Sequence, residues 1–238
     1  TPVNRSAHGP FPPRPVVLTF DDGYRDFYTD AFPILKRYGY TATVFLPTAY
    51  IDGKRPGIRG KQHLNWDEVR ELFTQGITFG SHTVNHVELH KLGWGEIEFE
   101  LGASREVIES HFNQAAIQRN NRSSQPAGQS TGQSTLIDAF CYPYRFPEKA
   151  GFVRALETRL KKNGYAFSVT TRIGTINTTK DLFSFKRVPV NSRDHLSLFS
   201  AKLGGGYDWS GWLQTRVKRV RGAAAARHPS ATARRARG

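Results

Sequence analysis

The chain has 238 residues, enough for one α/β domain with a substantial core, and it carries 34 Lys and Arg against 20 Asp and Glu, a formal net charge of +14. No apolar run reaches the ~18 residues that a membrane-spanning helix requires. A single cysteine, Cys141, excludes an internal disulfide and a cysteine-built metal site, so a bound metal would rest on His and Asp.

Residues 1–15, TPVNRSAHGPFPPRP, form a proline-rich lead without a hydrophobic period. The chain has no methionine, even at position 1, which is expected of a processed or trimmed product; a removed signal peptide is one route to that. VVLTFDDGY follows at Val16 to Tyr24. An apolar run that stops on two adjacent carboxylates and a glycine reads as a buried strand delivering acids to its carboxyl end. Side chains alternate along a strand, so Asp21 and Asp22 meet different surroundings and can hold different roles. Thr29 to Tyr38 has Phe32, Leu35 and Tyr38 at helical spacing and stops at Gly39, and a second strand is expected over Ala42 to Leu46. In Asn65 to Gln75, Asn65 caps a helix with Glu68 as the reciprocal partner of a capping box, and Gly76 closes it before strand three at Ile77 to Phe79.

ITFGSHTVNH, Ile77 to His86, ends that strand on Gly80 and places His82 and His86 four residues apart, on one side of a turn or helix. Two histidines so spaced are a weak signal by themselves. Joined by one carboxylate they supply three protein ligands and leave open positions, the usual make-up of a catalytic zinc or related divalent site. Both the acids and the histidines follow predicted strands, and active sites of parallel α/β proteins gather at the carboxyl ends of strands. Glu96 to Phe112 aligns Ile97, Leu101, Ser104, Ile108 and His111, with Val107 beside them, as an amphipathic helix. Residues 113–135, rich in Gln, Ser, Asn and Gly, read as a flexible inserted loop. Strand four is expected at Ala139 to Tyr142, a helix through Phe152, Leu156 and Leu160 ending at Gly164, strands at Tyr165 to Val169 and Phe185 to Val190, and a closing helix at Leu196 to Leu203. Alternating strands and helices demand a parallel sheet covered by helices, although periodicity does not separate a barrel from an open doubly wound sheet.

TFDDG at Thr19 to Gly23, SHTVNH at Ser81 to His86 and FCYPYR at Phe140 to Arg145 resemble the first three motifs of the polysaccharide deacetylases, the NodB-homology domains of carbohydrate esterase family 4. The intervening sequence continues the resemblance over most of Val16 to about Leu203, nearest the branch that includes exported poly-N-acetylglucosamine deacetylases. This implies a single-domain α/β fold, the distorted (β/α) barrel of that family, over residues 16–206. It also implies metal-dependent removal of acetyl groups from N-acetylglucosamine residues of a glycan, whether poly-N-acetylglucosamine, chitin-like or peptidoglycan, by an exported or cell-envelope protein. One divalent ion is expected, zinc first, with Co, Ni or Fe accepted by the same ligand set.

By the family pattern Asp22, His82 and His86 are the metal ligands, Asp21 is the general base, and the backbone N–H of Tyr144 is an oxyanion donor. Two positions depart from the pattern. Cys141 stands where many relatives carry an arginine that orients the base, and Arg145 stands where the motif ends in glycine. Arg187, at the end of a strand candidate, is the favoured replacement orienter, ahead of Arg145. Tyr24, Trp66 and Tyr142 are candidate sugar-stacking residues, with Trp209 and Trp212 behind them. His90 and His195 read as surface residues, so no general acid is assigned. A noncatalytic metal-containing carbohydrate-binding relative is the alternative, and the retained Asp21 argues against it.

Residues 207–238 form a C-terminal extension. Its last part, Thr215 to Gly238, holds eight Arg and Lys and no acid, leaving 26 basic against 20 acidic residues elsewhere. More than half of the net charge thus lies in an expected disordered tail, suited to anionic polymers or surfaces rather than to a specific nucleic acid. The catalytic body is expected to be monomeric.

Overall fold

The computed structural model describes residues 15–122, 136–175, 178–206 and 208–209. Six strands, β1 (Thr19–Phe20), β2 (Thr43–Leu46), β3 (Thr78–Ser81), β4 (Ala139–Cys141), β5 (Phe167–Ile173) and β6 (Phe185–Arg187), lie side by side in chain order. The pairs from β1 to β5 are parallel, with Phe20 beside Val44, Leu46 beside Ser81, Ser81 beside Phe140 and Cys141 beside Val169. Each crossover therefore advances one strand in the same direction and the order never reverses. That is the winding of a (β/α) barrel, whereas a doubly wound sheet turns back at a switch point. It also brings the ends of β1, β3 and β4, and so all three motifs, to one edge.

The helices between them are α1 (Phe32–Arg37), α2 (Trp66–Thr74), α3 (Trp94–Arg122), α4 (Ala150–Lys162) and α5 (Leu196–Leu203). A wide π-helical turn, Phe27–Ala31, leads into α1, and the Phe32 N–H reaches back to the Phe27 carbonyl. Pro33 in the first turn of α1 has no N–H to continue the tighter pattern. The capping box of α2 closes as its sequence requires: Asn65 Oδ1 accepts the Glu68 N–H at 2.8 Å, and Glu68 accepts the Asn65 N–H at 3.0 Å.

Three expectations are corrected. Val16 and Val17, read as the start of a buried strand, are exposed; β1 is an edge strand with one neighbour and pairs only at Thr19 and Phe20. Helix α3 continues to Arg122, into the stretch read as a loop from residue 113, because Gln, Ala and Arg at 114–119 are good helix formers even without an apolar stripe. Val107 is exposed on α3, while Ile97, Leu101, Ser104 and Ile108 are buried. The remainder of the inserted stretch, 123–135, the lead 1–14 and the tail from 210 lie outside the described residues.

The described chain divides into two compact units, one running to Val169 with Leu182–Ser184, the other comprising Thr170–Asp181 and the chain from Phe185. In the first, Phe45, Leu46, Leu72, Ile97, Leu101, Ile108, Phe112 and Phe140 are fully buried, and Phe73 stacks on Phe112 at 4.1 Å between ring centroids. Gly80 is demanded by this packing, since a Cβ there would lie 2.5 Å from the Phe45 ring and 2.8 Å from the Ala139 carbonyl oxygen. In the second, the buried Lys202 of α5 donates to Asp194 at 2.7 Å and to the Pro189 carbonyl at 2.9 Å.

Candidate active site

Beyond β1 the chain turns sharply: Asp22 has φ +70° and Gly23 φ +58°. A side chain at Gly23 would meet Leu46 at 2.8 Å, so the turn after the acids is reserved for glycine. The Asp22 carbonyl accepts a hydrogen bond from Nδ1 of His63 at 2.8 Å, and the other His63 nitrogen, Nε2, accepts the Ile58 N–H at 3.0 Å. These two bonds fix His63 as the neutral Nδ1–H tautomer, and burial lowers its pKa in the same direction. Its ring packs between Tyr24 and Tyr50, at 5.1 and 5.3 Å. The turn carrying Asp22 is thereby held by a side chain from a different loop.

His82 follows directly on β3 and is buried; its Nδ1 donates to the Cys141 carbonyl at 2.8 Å, which leaves Nε2 as the nitrogen offered to the site. Asp22 Oδ1 lies 3.4 Å from that Nε2 and 3.0 Å from Nε2 of His86. The intervening turn is clamped by Glu100 of α3, whose Oε2 accepts the N–H groups of Val84 and Asn85 at 2.8 and 2.9 Å, while Oε1 accepts the Asn85 side-chain amide. Of the six described non-glycine residues with positive φ, Asp22, Thr83, His86 and Tyr144 all belong to the three motifs. Such strain persists where surrounding structure over-determines it, and it clusters at functional sites.

The electrostatics match this geometry. Burial alone would raise the pKa of Asp22, but hydrogen bonds and attraction from His82 and His86 hold its carboxyl far below the usual range. Burial would lower the pKa of His82, and attraction to Cys141, Asp22 and Asp21 outweighs it and raises it well above the ordinary value. Tyr24 lies beside Asp22 without closing a hydrogen bond of ordinary geometry, and burial together with the Asp22 charge pushes its phenol up to about 12.

One oxygen and two imidazole nitrogens, all within 4.8 Å of one another, form a borderline-hard donor set of the kind that holds a divalent transition metal. The chemistry of this set fits the expected ion. Asp21 does not share it: its carboxylate is grouped instead with His82 and the Cys141 sulfur, again within 4.8 Å. The two adjacent acids therefore occupy different surroundings, and it is the left-handed turn at Asp22, beyond the end of β1 at Phe20, that separates them rather than alternation along a strand.

Two candidate sugar-stacking residues are corrected. Trp66 is buried as the first residue of α2 and stacks flat on His111 at 3.9 Å. Tyr142 is buried and its hydroxyl donates to the Phe183 carbonyl at 3.2 Å. Both serve the core, where large aromatics contribute most. Tyr24 is half-buried, with the Lys61 ammonium 4.9 Å from its ring centroid in addition to His63. Tyr144 is 52% exposed, its ring centroid 4.6 Å from that of His86, the one large exposed aromatic of the third motif. Arg187 lies in the second unit, on β6, with Nε donating to the Thr170 carbonyl at 2.9 Å. His195 is exposed and caps α5, accepting the Leu198 N–H; His90 is exposed beside Glu88.

Glu100 and His63 were not singled out from the sequence. Glu100 was detectable: it falls on the apolar face of α3, between Ile97 and Ser104, where an acid has no place unless it is hydrogen-bonded. His63 carried no such signal, being one polar residue in a loop before a helix cap.

A family model described as polysaccharide deacetylase matches residues 8–147, more than half of the chain. The chain belongs to the polysaccharide deacetylase family. It is 33% identical over 187 residues to YxkH of Bacillus subtilis, named as a polysaccharide deacetylase, covering 78% of this chain and 55% of that protein. It is 27% identical over 186 residues to the poly-beta-1,6-N-acetyl-D-glucosamine N-deacetylase of Staphylococcus epidermidis (77% and 57%), and 26% identical over 214 residues to that of Escherichia coli K12 (84% and 31%). The chain thus spans a third to just over half of the length of these relatives. Among solved structures, the Streptococcus pyogenes deacetylase PplD in complex with acetate superposes with a TM-score of 0.62 at 23% identity, covering 79% of this chain and 70% of that one. IcaB from Ammonifex degensii superposes with a TM-score of 0.59 at 21% identity, covering 81% and 74%. These likenesses establish the deacetylase (β/α)-barrel fold. Among the described residues no helix is long and apolar enough to cross a membrane.

Proposed function

We propose that this polysaccharide deacetylase is a metal-dependent hydrolase that removes acetyl groups from N-acetylglucosamine residues of a cell-envelope or extracellular glycan. The observation that carries the reading is the convergence of Asp22, His82 and His86, with Asp21 beside them in separate surroundings, at the carboxyl ends of parallel strands. Poly-N-acetylglucosamine is the favoured polymer, supported by the names of the staphylococcal and Escherichia coli relatives.

Asp22, His82 and His86 would hold the divalent ion, zinc first. That ion would polarise the acetyl carbonyl and lower the pKa of water toward neutrality. Asp21 takes the proton of the attacking water, and the same proton is then available to the departing amine, so that amide and water become amine and acetic acid, which ionises to acetate with its proton passing to the amine or solvent. We assign the role of oxyanion donor to the Tyr144 N–H, a reading supported by its left-handed turn beside His86. The exposed Tyr144 ring is the better candidate for a sugar face than the buried Trp66 and Tyr142, and Tyr24 is assigned to the wall beside Asp22.

The test is acetate release from a panel of N-acetylated glycans, run with metal analysis of the same preparation. One divalent ion per chain with acetate release from a poly-N-acetylglucosamine oligomer supports the reading. A protein carrying that ion and releasing no acetate from any member of the panel overturns it.

A further inference from the structure

The chain's single cysteine, Cys141, is buried, yet the fold does not leave that thiol in an inert core. Cys141 ends β4 beside His82, and its sulfur, an imidazole nitrogen of His82 and an Asp21 carboxylate oxygen lie within 4.8 Å of one another. Cys141 and His82 are buried, while Asp21 is partly open to solvent and gives an ion a way in. The sequence alone set cysteine aside as a ligand because one thiol makes no cysteine cage. The structure supplies the missing partners.

We propose that Asp21, His82 and Cys141 form a second metal-binding set, selective for thiophilic divalent ions such as cadmium, that overlaps the Asp22–His82–His86 set and is mutually exclusive with it. Exclusion follows from His82. Its Nδ1 donates to the Cys141 carbonyl, so Nε2 alone can ligate, and one nitrogen lone pair serves one ion. Selectivity follows from donor type. Sulfur, nitrogen and oxygen favour soft or borderline ions, whereas the neighbouring nitrogen and oxygen set has no soft donor. Binding replaces the thiol hydrogen: the sulfur–metal bond forms, one proton leaves to solvent, and the ion gains a thiolate, an imidazole and a carboxylate. An ion seated there ties up Asp21. The resulting inhibition rests on Asp21 being the base, as proposed above; the binding does not.

The experiment uses the full chain freed of metal by chelation and titrated with cadmium, read by thiolate-to-cadmium charge-transfer absorption in the ultraviolet. With one cysteine per chain, the band reports Cys141 alone. The expected result is a band that saturates at one ion per chain, is absent in Cys141→Ser, and needs at least about tenfold more cadmium in Asp21→Asn, the loss that follows removal of a supporting group. Excess zinc should shift the titration to higher cadmium. Absence of the band in the wild type, or a band that Asp21→Asn leaves unchanged, overturns the proposal. His82→Ala provides a second variant should Asp21→Asn not fold, with the same expectation. Acetate release by zinc-loaded wild type without cadmium is measured separately, so that a failure of the deacetylase reading is not mistaken for a failure of this one.

Discussion

Glu100 holds Asn85 twice, accepting its backbone N–H at 2.9 Å through Oε2 and its side-chain amide through Oε1. The Val84 N–H, at 2.8 Å, makes this buried carboxylate the anchor of the turn between His82 and His86. Glu100→Ala would leave two backbone donors unpaired, at about 1–3 kcal/mol each, and would let the His86 turn relax. We expect metal affinity to fall about 10- to 100-fold, the usual cost of losing a group that orients a ligand. Glu100→Gln, which keeps one acceptor oxygen, should recover part of that loss. Competition with a chelator of known affinity measures it, and unchanged affinity in Glu100→Ala would show that the turn holds its shape unaided.

A purely structural prediction concerns α2. Its capping box joins Asn65 and Glu68 reciprocally, and Glu68 also receives Arg25 Nε at 2.7 Å. Asn65→Ala removes one cap acceptor and should cost about 1 kcal/mol, in the range 0.5–2. For a chain of this size that lowers Tm by about 2–4 °C per kcal/mol, with metal occupancy unchanged. A calorimetric scan of the metal-loaded variant is the check.

That capping box was legible because both partners and their spacing lie within four residues. The same holds for the histidine pair and for the Asp-Asp-Gly turn, where local chemistry and position after a strand agree. What was not legible depends on pairing between distant segments. Val16 and Val17 have the apolar character of a buried strand but find no second neighbour at the sheet edge. Trp66 and Tyr142 could be assigned to core or groove only once α2 and β4 were placed against His111 and Phe183. The barrel winding likewise emerges from strand order, which periodicity does not encode. His63 is the sharpest case, since its function as a clamp on Asp22 requires two loops 41 residues apart to meet.

The pH dependence of the metal-free protein follows from Asp22 and His82. Asp22 is depressed from its ordinary 3.8, so its contribution is present above that value and is lost as pH falls through the folded-state pKa. His82 is raised from its ordinary 6.5, so its contribution is fully present below 6.5 and is lost as pH rises through its folded-state pKa. The charged pair therefore stabilises the metal-free chain most between 3.8 and 6.5. Metal binding has the opposite slope, because the ion must displace the His82 proton. We expect the Tm of chelator-treated protein to decline above pH 6.5, and the gap between zinc-loaded and metal-free Tm to widen as pH rises. A metal-free Tm that climbs steadily from pH 6 to 9 would contradict the pairing.

The two adjacent acids give the most discriminating comparison, because the reading depends on their having different jobs. Asp22 Oδ1 faces both histidines, at 3.0 and 3.4 Å, whereas Asp21 is grouped with His82 and Cys141. Asp22→Ala should remove a ligand, so that zinc affinity and acetate release fall together. Asp21→Asn keeps the side-chain volume and leaves Asp22, His82 and His86 intact, so zinc occupancy should persist. If Asp21 accepts the water proton, its loss should slow acetate release by about 100- to 10,000-fold, with glycan affinity changing far less. Zinc content, glycan affinity and turnover on the two single variants separate the roles. An Asp21→Asn protein that holds zinc and keeps near-normal turnover would mean that another group takes the proton, and the turn after β1 would then be a metal loop with one working acid.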